Sequence, residues 1–124
     1  MKENRKAVRV DADGVVEIKN IESGIETSGF LKDLSISGVG FFSYDKFEIN
    51  EHVKLRLKIE ESEVFLKGIV VFASYSDDNF SRYGIEIEEI DNDNFNILKE
   101  YVTKEIKVIW GEKIKKYSNA FSKK

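Results

Sequence analysis

The chain has 124 residues, enough for one domain with a real core, and it contains no cysteine and no proline. Its net charge of −3 argues against broad nucleic-acid binding, and the missing cysteines exclude a disulfide framework or a thiolate metal site. No apolar run approaches bilayer length and the N-terminus is charged rather than signal-like, so a cytoplasmic location is expected.

Charge is unevenly placed. Residues 1–10 carry Lys2, Arg5, Lys6 and Arg9 against Glu3, and residues 113–124 carry five lysines and no acid. An anionic partner is therefore expected at the ends, where purely solubilising charge also collects. Residues 1–10 show no period and read as an arm or loop. Asp11-Ala12-Asp13-Gly14 signals a turn. Val16 and Ile18 alternate with Glu17 and Lys19 in a first strand ending near Ile21. After Glu22-Ser23-Gly24, Ile25 to Ser35 reads as a longer strand with a bulge at Gly29. Gly38 to Ser43 is a third strand. Tyr44 to Glu51 connects, with Phe47 and Ile49 folded back as plugs.

Val53, Leu55, Leu57 and Ile59 alternate with Lys54, Arg56 and Lys58 in the clearest half-buried strand. Residues 60–63 turn the chain into a strand from Val64 to Tyr75, apolar on both faces from Ile69 to Ala73, whose outer side should be covered. Arg82 to Ile90 is the last strand. Asp91-Asn92-Asp93-Asn94 then signals a helix N-terminus. Phe95, Leu98, Val102, Ile106 and Ile109 form its buried stripe, and Gly111 is expected to end or interrupt it. Ile97, Tyr101 and Val108 make a second apolar line, either incidental or a subunit contact that would give a homodimer through the helix. The fold class is mainly β: a small antiparallel six-stranded barrel with a C-terminal α-helix covering an open end or the outer side of 69–73. The expected divisions are an arm over 1–13, the barrel over 14–90, a helical region over 91–117 and a basic tail over 118–124.

Chemistry concentrates in the stretch from Lys32 to Phe42. On an extended chain Asp33 and Ser35 share one face and Leu34 and Ile36 the other. Ser37-Gly38 permits a sharp bend, and Gly40 marks a close approach of backbone or ligand. A carboxylate beside a hydroxyl, followed by a glycine turn, can grip a polar ligand. The plain alternative is that Asp33 and Ser35 stabilise a turn and that Arg5 and Arg9 are solvated arm charges. Nothing here is arranged for bond breaking. His52 starts a strand on an outward face, no nucleophile-elbow pattern joins it to Asp33 and Ser35, and no metal-ligand spacing exists, so neither catalytic nor metal residues are expected.

Arg5-Lys6-Ala7-Val8-Arg9, an R-x-x-x-R, precedes Asp33-Leu34-Ser35-Ile36-Ser37-Gly38, a D-x-S-x-x-G, on an early barrel strand. Together, and with Arg82-Tyr83-Gly84-Ile85-Glu86-Ile87 as the closing strand, they resemble the PilZ domain family. The resemblance runs from Arg5 to the final helix and implies a bacterial receptor for cyclic di-GMP, with no cofactor. It makes Arg5 and Arg9 a clamp and Asp33, Ser35 and Gly38 a floor; Lys6 and Arg82 are additional candidates. A guanidinium suits guanine O6 and N7, and a carboxylate suits N1–H and N2–H₂. Binding would change the protein's shape and signal to a downstream protein partner. The alternative is an adaptor of the same fold that binds proteins and no nucleotide. DNA or RNA partners and membrane insertion are not expected. Because the first motif starts so near Met1, the chain is expected to be either a stand-alone receptor or a segment of a larger protein.

Overall fold

The computed structural model describes residues 7–77 and 79–121, with side chains in that range up to Lys116. Strands β1 (Val10–Asp11), β2 (Val15–Asn20), β3 (Glu26–Leu34), β4 (Gly38–Ser43), β5 (His52–Ile59), β6 (Ser62–Ser74) and β7 (Ser81–Glu89) precede one helix, α1 (Asn92–Phe121). They pair in the order β1-β3-β2-β5-β6-β7-β4, and a further β3–β4 pairing closes six of them into an antiparallel barrel. β1 is the extra strand. It continues along the β3 edge used by β2, pairing Val10 with Leu34 and Asp11 with Asp33.

Inward alternation fills the barrel. Val16, Ile18, Leu31, Leu34, Val39, Phe41, Val53, Leu55, Leu57, Val64, Val70 and Ile85 are all buried, as a period of two requires. Val10, read from the sequence as part of an arm or loop, belongs to this core too: one apolar residue on a two-residue strand leaves no period to detect. Phe47 plugs one mouth, edge-on to Phe41 and Tyr83, and the Tyr83 hydroxyl accepts from the Phe47 amide at 3.2 Å and donates to the Asp45 carbonyl at 2.9 Å. Ile49, expected as a second plug, is exposed.

The helix closes the other mouth. Asp91 caps it, accepting the Asn94 amide at 2.8 Å, and this bond and one from the Asn94 side chain hold the Asp91 carboxyl below its ordinary value. Leu98 and Val102 enter the core, with Phe95, Ile97, Tyr101 and Ile106 half-buried. Tyr101 donates to the Asp11 carbonyl at 3.2 Å. Ile109 and Val108, by contrast, are exposed, and the helix runs through Gly111 to Phe121. It does not cover the outer side of 69–73: Val71 is an extra residue in the β6–β7 pairing, and Val71 and Phe72 stay exposed. An interior glycine costs a helix about 1 kcal/mol, too little to stop one that is capped and anchored.

Candidate functional site

The site is made by an irregularity in β3. Leu31 pairs with Phe41 and Asp33 with Gly40, so Lys32 is an extra residue, a bulge three positions beyond the Gly29 that the sequence suggested. Gly29 itself pairs regularly with Val16. A bulge sets two consecutive side chains against one partner. Lys32 and Asp33 therefore lie side by side on the outer surface, and Lys32 Nζ is 3.1 Å from Asp33 Oδ2. Sequence reasoning missed Lys32 because strict alternation sends it inward.

β1 delivers Arg9 to the same spot. Arg9 Nη1 donates to Asp33 Oδ1 at 2.8 Å, with the arginine side chain 51% and the aspartate 13% exposed. The Arg9 guanidinium also hangs over Gly38, where a Cβ would sit 3.4 Å from Nη2 and 3.8 Å from Ser35 Oγ. Arg9, Asp33, Ser35 and Gly38 thus converge. Arg5 and Lys6 lie outside the described residues.

Ser35 is buried, and its hydroxyl accepts the Ser37 amide at 3.1 Å. Its own amide donates to the Gly38 carbonyl at 3.0 Å. In this conformation Ser35 shapes the turn, and Ile36, placed by alternation on one face with the buried Leu34, is exposed at the tip. The Ile87 amide fixes the turn to β7 by donating to the Ser37 carbonyl at 2.9 Å.

Beside Asp33 the outer face is floored by glycine. Gly40 pairs with Asp33 on one side and Gly84 on the other, and Gly84 pairs with Phe72. A side chain on Gly40 would collide with the Asp33 carboxylate. Arg82 rises from the same face two residues from Gly84, and its guanidinium lies 5.3 Å from the Phe72 ring centre. Cations stand on either side of these glycines, Arg9 and Lys32 at Asp33 and Arg82 beyond Gly84. The face offers donors to anions and the Asp33 carboxylate to a donor edge, with Glu86 opposite Gly38 in the register.

Two further features bear on function. His52 Nδ1 meets Glu88 at 2.9 Å on the surface, with Ile69 and Glu86 between it and Gly38 along the sheet. Among the described residues no group of three or more His, Cys, Asp or Glu could hold a metal, and no helix is long and apolar enough to cross a membrane.

The family model for the PilZ domain matches residues 3–104, and the chain belongs to that family. The family is one of cyclic di-GMP receptors, generally without enzymatic activity. No curated protein sequence matches the chain. Among solved structures it is similar to "PilZ domain with c-di-GMP of YcgR from Escherichia coli", at TM-score 0.68 and 11% identity over 90% of this chain and 98% of that one. It is also similar to the Bacillus subtilis inhibitor of motility MotI/DgrA, at TM-score 0.67 and 20% identity over 81% of this chain and 50% of that one. The MrkH–c-di-GMP complex of K. pneumonia gives TM-score 0.68 and 13% identity, over 90% and 55% of the two chains. The chain thus spans about half the length of MotI and of MrkH, and at these identities the likeness establishes the fold.

Proposed function

We propose that this protein is a receptor that binds cyclic di-GMP on the outer face of the barrel, over Arg9, Lys32, Asp33 and the Gly38 turn. The observation that carries the reading is the convergence of both family motifs on one surface: Arg9 of R-x-x-x-R bonds Asp33 of D-x-S-x-x-G at 2.8 Å and overhangs Gly38. Guanine offers N1–H and N2–H₂ to a carboxylate and O6 and N7 to a guanidinium, and the two phosphates require cations. Asp33, Arg9 and Lys32 supply these types, and Arg5 and Lys6 add charge to the arm in sequence.

An ion pair with one partner half exposed is worth on the order of 1 kcal/mol or less. The Arg9–Asp33 bond therefore preforms the site and can still open to admit a base. Ser35 acts chiefly by holding the turn, so that the backbone at Gly38 can approach the ligand closely. β1 carries Arg9 just ahead of one end, and its Asp11 carbonyl receives the Tyr101 hydroxyl. A ligand that pulls on Arg9 thereby acts on α1, which offers a route to a downstream protein partner. As a receptor the protein acts by binding rather than by catalysis, in the cytoplasm.

Isothermal titration with cyclic di-GMP tests this. Wild type should bind with measurable heat, and Arg9→Ala and Asp33→Ala should lose most of the affinity while unfolding at near-wild-type urea concentrations. A folded wild type that gives no heat at millimolar ligand would leave the nucleotide-free adaptor as the better reading; its one support is that Asp33 is already satisfied by Arg9 and Lys32.

A further inference from the structure

We propose that Glu86 is a second base-reading residue of the same site, accepting from N1–H and N2–H₂ of the guanine that Asp33 does not hold. This rests on the cyclic di-GMP reading above and adds to it what selects the ligand's second base. Tyr83 and Ile85 are buried in the barrel, so along β7 the alternate residues Arg82, Gly84 and Glu86 belong to the outer face. Glu86 is half-buried there and pairs with Gly38, the glycine under the Arg9 guanidinium. Asp33 pairs with Gly40, two residues further along the same strand. Acidic residues thus flank β4 from its two sides, Asp33 on β3 and Glu86 on β7, and between them β4 turns only Gly38 and Gly40 outward. Adjacent strands lie about 5 Å apart and two residues advance about 7 Å, which puts the Cα atoms of Asp33 and Glu86 roughly 12 Å apart. One cyclic dinucleotide covers that span.

Charge limits what a carboxylate can do here. The ligand's two phosphates are answered by Arg9, Lys32 and Arg82, and an acid on this face repels them. A favourable role for it needs a donor-rich edge. Guanine has one in N1–H and N2–H₂, whereas adenine presents its N1 lone pair there. Cyclic di-GMP carries two such edges, and Asp33 serves one. Glu88, two residues on, is engaged by His52 at 2.9 Å, across Ile69 from Glu86. Glu86 is therefore the acid of β7 that stands beside the Gly38 turn. An acceptor at each base makes the site reject a ring in which either guanine is replaced.

The probe is the mixed ring 3′,3′-cyclic GMP–AMP, whose single guanine takes Asp33 and leaves adenine for Glu86. In titration calorimetry wild type should bind cyclic di-GMP at least about tenfold more tightly than the mixed ring, the effect of losing hydrogen bonds to a charged group. Glu86→Ala should shrink that preference to less than about threefold, and Glu86→Gln, which keeps a carbonyl acceptor, should fall between the two. The ratio is taken within each variant, so a change in folded fraction cancels. Wild type that binds both rings equally overturns the assignment, as does a Glu86→Ala protein with the full preference. If Asp33→Ala weakens cyclic di-GMP while Glu86→Ala leaves the preference intact, this inference fails and the receptor reading stands. No heat from either ring in folded wild type sinks both.

Discussion

Two outward faces of this barrel are made from the same kind of strand and end up unlike. Across β2 and β5 the alternation never slips: Val16, Ile18, Leu55 and Leu57 point in, while outside them Glu17, Arg56 and Glu63 join in a chain with Arg56 nitrogens 3.2 Å from each carboxylate. Paired long side chains stand over that backbone and, with Lys19, Lys54 and Phe65, line an open hollow of about 440 Å³. Across β3, β4 and β7 the bulge at Lys32 and the glycines at 38, 40 and 84 break the pattern. There Gly38 and Gly40 are buried against their neighbours, Gly40 under the Asp33 carboxylate, and Arg9 and Lys32 gather at Asp33. Regular pairing spaces its charges along the strands, and a faulted one gathers them at one point.

The largest effect that separates the two roles comes from removing what both faces share. Leu57→Ala, in the fully buried core, should lower unfolding free energy by about 2–5 kcal/mol in urea titrations, with ligand affinity unchanged in the fraction still folded. The next test pits the faces against each other. Arg9→Ala or Asp33→Ala should weaken cyclic di-GMP roughly a hundredfold, since each strips a partner from a charged hydrogen-bonded pair. Arg56→Ala, on the regular face, should change it less than about twofold; equal losses on the two faces would dissolve the distinction.

Two glycines sharpen the comparison further. A methyl on Gly40 meets only the tip of the Asp33 side chain, which can swing aside, whereas one on Gly29 meets the Phe42 carbonyl, which cannot. Gly40→Ala should therefore cost roughly tenfold in affinity with little change in stability, and Gly29→Ala should do the reverse. Lys32→Ala should weaken binding only about three- to fivefold and flatten its dependence on salt, as expected for a half-exposed cation. The smallest effect lies on neither face. Because the Asp91 carboxyl is held below its ordinary value, its stabilisation of the helix start is fully present above about pH 4 and lost as pH falls through the lowered value. The protection of the Asn94 amide, its exchange rate compared with the intrinsic rate at the same pH, should therefore fall in acid for wild type and be low at all pH values in Asp91→Ala.

Much of this was legible in the chain. The alternation Val53–Leu55–Leu57–Ile59, the Asp91–Asn94 cap and the polar turns give the barrel and its helix, because each rests on local periodicity or capping. Arg9, Asp33 and Gly38 could be picked out by their motifs. What eluded the sequence depends on pairing. A bulge belongs to two strands at once, so nothing in Phe30-Leu31-Lys32-Asp33 alone says that Lys32 stays outside. Ile36, Ile49 and Ile109 are greasy in sequence and exposed in the fold, and only tertiary contact decides such cases.

The short link Ala12-Asp13-Gly14 sets where β1 lands on β3. Gly14 is seated so tightly that a side chain there would strike the Lys58 carbonyl, which pins the link at one length. Shortening it by a single residue would slide the start of the chain one step along its neighbour, turning Val10 to water and Arg9 toward the barrel wall. The reach of the arginine is thus dictated by a spacer outside the proposed site, and a change in its length would act as a coarse dial on binding there.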